Sequence, residues 1–506
     1  MRHHKSTPPP PAALQHALDW LALPQHDDAL NDLVPLRQHL AGIRDLDLPA
    51  SHRIKLAEML QQRVDRVDRK LAPLLLDARF PLLRHLRIVA QGLIELRGQL
   101  STLWLKIADE SQPSELKHIH RPMTQICRQG VDNLAQQLTA SLLVAMPMPA
   151  NLWRSTLALR RIALDSLDPD ATLPFEMNAF DKRFKTMLAL STAQPEGLTP
   201  REILFLADYA QCRAACIRLD TAPPSENIGW FWLDGELDQA PVALIRSNSQ
   251  KSHLYLHSGE LAEVAVSDLE QLNSGTPPVT LGLPMQSSGA DYRNVLERAS
   301  QCWAASRYRS HARRPQQLKV EVCTHLGSLW TALSSTSGAD SAPENEGNSF
   351  DADTSEWIVI NEGPAGYAMV HLQGTVPGFL PGFAVGLRTG SGAAWQICLV
   401  RWARNQEEGQ VELGLEIIAP SALPVRIQAE KHDRAPPVPA LLLPALPRLN
   451  RNEAILASRG DYNLRPFMLL EETAGRLRVV ECTPQLTLVE TSSVEIFEFS
   501  RDLGAV

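Results

Sequence analysis

Four arginines fall within eight positions in the run Arg307-Tyr308-Arg309-Ser310-His311-Ala312-Arg313-Arg314-Pro315. Guanidinium groups form bidentate bonds to phosphate oxygens and to the O6/N7 edge of guanine, and they stack on flat rings. Pro315 and the apolar alternation Leu318-Lys-Val-Glu-Val322 keep these arginines off a regular helix, so their forks can converge on one ligand. A guanine nucleotide suits such a cluster. Further on, Trp357-Ile-Val-Ile-Asn361-Glu362-Gly363-Pro364-Ala365-Gly366-Tyr367-Ala368-Met369 reads as a strand, a tight polar turn and a second strand. Asn361 can bond a base or a ribose, while Gly363 and Gly366 let the backbone approach a ligand or take a positive φ.

The elements that must position these groups are short strands. Val385 to Leu387, Trp395 to Trp402 and Glu412 to Ile418 continue the pattern as the meander of a small antiparallel barrel. The order Arg309-x-x-x-Arg313, strand, Asn361-x-Gly363-x-x-Gly366, and a closing strand Leu413-Gly-Leu-Glu-Ile417 resembles the PilZ-domain family, the bacterial receptor modules for cyclic di-GMP, over about residues 303–420. The resemblance implies that Arg309 and Arg313, with Arg307 and Arg314 beside them, grip phosphates and guanine edges. It also implies that Asn361, Gly363 and Gly366 hold the other base and sugar. Gly363 stands where the family has serine, so one hydroxyl hydrogen bond is missing, worth ~0.5–1.5 kcal/mol and up to about tenfold in affinity. The implied ligand is cyclic di-GMP with no further cofactor, and the implied role is a signalling effector or adaptor that passes ligand binding to an unidentified protein partner. The competing reading is a non-enzymatic scaffold with a degenerate barrel that binds proteins and no nucleotide.

The rest of the chain supplies the frame. At 506 residues and 44% hydrophobic it has material for roughly three packed domains. Leu56, Met59, Leu60, Val64, Val67 and Leu71 recur at helical spacing, as do Val89, Leu93, Leu96, Leu100 and Leu103. The fold class is therefore α+β and multidomain: an N-terminal all-α bundle or hairpin array followed by small antiparallel β-barrel modules. The expected division is a flexible tail at 1–11, a helical domain at 12–220 and a small β module at 226–286. A helix plus barrel follows at 287–420 with a mobile acidic insert at 324–356. A C-terminal β module at 436–506 opens with a proline-rich linker.

A formal net charge of -8 argues against DNA or RNA as a partner, since phosphate neutralisation calls for a basic excess. The longest apolar run, Leu138 to Met148, is about half of what a membrane span requires, so none is expected. Seven cysteines, mostly in apolar surroundings, fit a reducing cytoplasm better than a disulfide framework. Cys212 and Cys216 have no second pair at zinc spacing, so no metal site is expected. The phosphate loop, His-Glu-x-x-His, Gly-x-Ser-x-Gly and the signatures of the enzymes that make or break cyclic di-GMP are all missing, and catalysis is not expected.

Overall fold

The computed structural model describes residues 12–502, apart from 24–25, 27, 45, 169–171, 173, 245–253, 306–312, 338–353, 375, 377, 391, 407–409, 430–435, 461, 463–464 and 474–475. The expected tail at 1–11 and residues 338–353 of the acidic insert thus lie outside the described residues. The chain forms two compact units: residues 1–78, 83–195 and 200–307, and residues 79–82, 196–199 and 308–506.

The first unit opens with helices α1 (Ala12–Ala22), α2 (Leu30–Arg44), α3 (Ala50–Leu71), α4 (Arg84–Glu110), α5 (Pro113–His118), α6 (Met123–Leu143), α7 (Leu152–Asp165), α8 (Phe175–Thr192) and α9 (Pro200–Cys212). Their apolar stripes meet as the spacing predicts: Leu93, Leu96 and Leu100 of α4 and Val131 and Leu138 of α6 are all buried. One arginine of the helical region is buried with its charge paired. Arg97 is 1% exposed, and its two terminal nitrogens each donate at 2.7 Å, one to Asp65 and the other to Asp68 of α3.

Strands β1 (Arg218–Asp220), β2 (Trp230–Leu233), β3 (Val242–Ala243) and β4 (Leu254–His257) then form one sheet in the order β1-β4-β2-β3. Helices α10 (Gly259–Asn273) and α11 (Ala290–Ala304) follow. Two expectations are corrected here. The stretch 226–286 is no separate β module, because it contains α10 and belongs to the helical unit. The helix at 287–306, expected with the barrel, belongs to the helical unit as well. The reason is Trp303, which stacks on Tyr209 of α9 at 6.2 Å and 12° and donates its indole N–H to Ala189 O of α8 at 3.0 Å. The sheet also reaches back to the helices through Asp238. Helix α7 has no capping side chain of its own. The Asp238 carboxylate accepts the Asn151 N–H on Oδ2, and the Trp153 and Arg154 N–H groups on Oδ1 at 3.0 and 3.1 Å. Asp238→Ala should therefore cost about 0.5–2 kcal/mol, the range for losing an N-cap, measured as a shift of the denaturant midpoint. An unchanged midpoint would show that α7 starts without this carboxylate.

The second unit contains two closed barrels. The first is built from β5 (Arg314–Cys323), β6 (Thr354–Gly363), β7 (Gly366–Gln373), β8 (Ala384–Arg388), β9 (Gln396–Asn405) and β10 (Val411–Ala419), in the circular order β10-β7-β6-β5-β8-β9. Helix α12 (Leu326–Ser337) lies in the chain between β5 and β6. The insert at 324–356 is thus helical at its start rather than a loop throughout. Leu326, Leu329, Trp330 and Leu333 repeat at helical spacing, a signal masked by the serine-rich run after them.

The second barrel comprises β11 (Leu423–Ala429), β12 (Val438–Leu443), β13 (Ala454–Ser458), β14 (Phe467–Thr473), β15 (Arg476–Glu490) and β16 (Val494–Arg501). It starts at Leu423 and not at 436, and its β12 occupies part of the expected linker. Pro424 and Pro439 both sit in the β11–β12 ladder, opposite Leu441 and Arg426. Strand β15 runs unbroken over 15 residues, and its pairing with β16 shifts register between Pro484 and Val489.

The circular order β11-β12-β13-β16-β15-β14 repeats that of the first barrel. In each, the first strand pairs with the second and fourth, and the third pairs with the sixth. The barrels share a core in which Leu329 of α12, Leu399 and Ile418 pack with Leu441, Leu456 and Ile496.

Candidate functional site

At one end of the first barrel, Arg313, Gly363, Gly366, Tyr367, Arg401, Trp402, Gly414 and Glu416 line a depression of about 310 Å³. Three residues singled out in the sequence therefore come together: Arg313 just before β5, and Gly363 and Gly366 at the facing ends of β6 and β7. Arg314 is exposed and lies opposite Glu362 in the β5–β6 ladder, beside the depression but outside its lining. Asn361 also falls outside the lining, opposite Pro315 and Ala368. Its Oδ1 is buried without a hydrogen-bond partner, an acceptor left for a donor that the described residues do not supply. Arg307 and Arg309 lie outside the described residues.

The two glycines differ in their reasons. A Cβ at Gly366 would lie 1.8 Å from the carbonyl oxygen of Leu415, so only glycine lets β7 run this close to β10. A Cβ at Gly363 would meet nothing nearer than 3.9 Å, and Gly363 has no left-handed φ. Position 363 has room for a side chain.

The other wall comes from an irregularity in β9. Gly414 pairs with Trp402 and Leu415 with Val400, which leaves Arg401 as the extra residue of a bulge. A bulge re-aims side chains, and here Arg401 and Trp402, neighbours in sequence, both reach the depression. The Trp402 indole lies across Gly414, where a Cβ would fall 1.8 Å from its Nε1. The Arg404 guanidinium stands 5.2 Å from its ring centre. Arg401 is ion-paired with Glu416 of β10. Burial raises the pKa of the Tyr367 phenol, helped by the charge of Glu362 and opposed by a hydrogen bond with Gln396, so it stays protonated at neutral pH.

This arrangement offers two guanidinium forks for phosphate oxygens, an indole face for a flat ring and an unhindered backbone turn between them. Sequence reasoning missed Tyr367, Arg401, Trp402 and Glu416. The available signal was Gly414 inside an apolar strand, a mark of close approach by another group.

The first barrel is a closed six-stranded one with Arg313 and a glycine turn at one mouth, and its strands β6 to β10 fall within a match to a PilZ domain. Residues 330–424 match the family model described as the middle PilZ domain of the cyclic-di-GMP receptor FimW, and residues 15–224 match that of its N-terminal domain. The PilZ match contains Asn361, Gly363, Gly366, Arg401 and Trp402, and begins after the arginine arm. A curated relative, the cyclic-di-GMP receptor FimW of Pseudomonas aeruginosa, is 32% identical over 103 residues, which is 20% of this chain and 17% of that protein. The match thus spans about a sixth of the relative's length. Among the described residues, no helix is long and apolar enough to cross a membrane.

Proposed function

We propose that this chain is a cyclic di-GMP receptor that binds its ligand in the depression at the mouth of the first barrel and passes occupancy to a protein partner. The observation that carries this reading is the meeting of Arg313 with Gly363, Gly366, Arg401 and Trp402 around one depression. Arg313 and Arg401 are the phosphate forks, with Arg307, Arg309 and Arg314 extending the arm. Trp402 is the stacking face for a guanine, and Asn361 is an acceptor for an exocyclic amine or a ribose hydroxyl. The relative from Pseudomonas aeruginosa is a cyclic-di-GMP receptor, which supports the choice of ligand. The groups gathered here bind anions and flat rings, so the reading is one of recognition rather than catalysis. Calorimetric titration with cyclic di-GMP should give a saturable heat that GMP does not reproduce. No heat at high micromolar ligand would favour the nucleotide-free scaffold.

Position 363 provides a finer check. Its Cβ site is open and its φ is ordinary, so Gly363→Ser should leave stability unchanged within about 0.5 kcal/mol, as surface substitutions do. It should tighten binding by up to about tenfold, the worth of one hydrogen bond. A stable Gly363→Ser variant with sharply weaker binding would show that the turn does not face the ligand.

A further inference from the structure

We infer that Glu416 is a built-in stand-in for the ligand's phosphate: its carboxylate pairs with Arg401, competes with the phosphate for that guanidinium and thereby sets the affinity. This rests on the binding reading above and adds the regulation of that site. The bulge in β9 turns Arg401 into the depression, where the Glu416 carboxylate already accepts its guanidinium Nε–H. Both residues line the depression. An incoming phosphate must therefore share or take the fork from Glu416, and it arrives beside a second negative charge.

The C-terminal barrel offers an internal comparison. There Glu498 lies opposite Ala454, the first residue of the third strand, just as Glu416 lies opposite Gly366, the first residue of β7. Glu498 is held by its own barrel, accepting Asn452 N and Nδ2 at 2.9 and 2.8 Å. The same position in two barrels of one strand order thus carries a carboxylate satisfied from within. In the second barrel the donor is an amide beside the turn. In the first it is a cation that a phosphate can claim.

Arg401 and Glu416 are 37% and 41% exposed, so their pairing is screened and the expected effect is moderate. Glu416→Gln removes the charge and keeps the shape, and should tighten cyclic di-GMP binding by about two- to fivefold at low salt. The gain should shrink as salt rises, because screening weakens the repulsion that the substitution relieves. The experiment is a calorimetric titration of the full chain and of Glu416→Gln with cyclic di-GMP at two salt concentrations. Circular dichroism checks the fold, and Glu416→Ser serves as a second variant should glutamine disturb it. Tighter, salt-sensitive binding by a folded variant supports the inference. If the parent chain binds and folded Glu416→Gln binds equally or more weakly, Glu416 is no competitor. If the parent chain gives no heat, the binding reading itself fails.

Discussion

Replacing Arg313 and Arg401 together by alanine should weaken cyclic di-GMP binding by about 3–6 kcal/mol, a hundredfold or more, while leaving the barrel folded. Hydrogen bonds to charged groups contribute roughly 1.5–3 kcal/mol each, and the two arginines stand on different walls of the depression, one before β5 and one on β9. Lysine in place of either arginine should restore only part of the loss, because a point charge cannot reproduce the planar bidentate geometry. Arg401 is paired with Glu416, so its removal leaves a carboxylate facing the depression, and the loss from that side includes its repulsion of the phosphate. Calorimetry reads the affinity and circular dichroism the fold. A double variant that titrates like the parent chain would remove both residues from the site.

The second large effect is structural. Gly366→Ala should destabilise the first barrel by about 3 kcal/mol, the upper end of overpacking costs. The new Cβ would fall 1.8 Å from Leu415 O and 2.9 Å from Leu415 C, both backbone atoms of β10 that no rotamer change can clear. The strands must part where Gly366 faces Glu416, at the mouth proposed to bind the ligand. Stability and binding should therefore fall together, in contrast to Gly363→Ser, three residues away on the same turn. Chemical denaturation of Gly366→Ala alongside the parent chain checks it. A loss below about 1 kcal/mol would mean that β7 and β10 yield more easily than their register suggests.

The sequence revealed one wall of the site and hid the other, for a physical reason. Arg313, Gly363 and Gly366 are legible because clustered cations and turn glycines are residue types out of keeping with a plain strand. Arg401 and Trp402 look like ordinary members of the strand Trp395 to Trp402, and only the bulge against Gly414 and Leu415 brings both into the depression. A bulge is a property of pairing between strands, and one strand's alternation does not report it. The same holds at larger scale. The helix of α11 is evident from Val295, Leu296, Ala299 and Trp303, but its membership in the helical unit depends on Trp303 stacking on Tyr209, far away in sequence. The kinship of the two barrels lies in strand order, which neither composition nor periodicity carries. Pro436, Pro437 and Pro439 further concealed where the second barrel begins, since prolines serve linkers and strand positions alike.

The most direct test of the central claim is a crystal structure of the full chain grown with saturating cyclic di-GMP. Ligand density is expected at the mouth of the first barrel, with phosphate oxygens on Arg313 and Arg401, a guanine against Trp402, and Glu416 turned away from Arg401. Density at any other surface, or an empty mouth at saturating ligand, would contradict it.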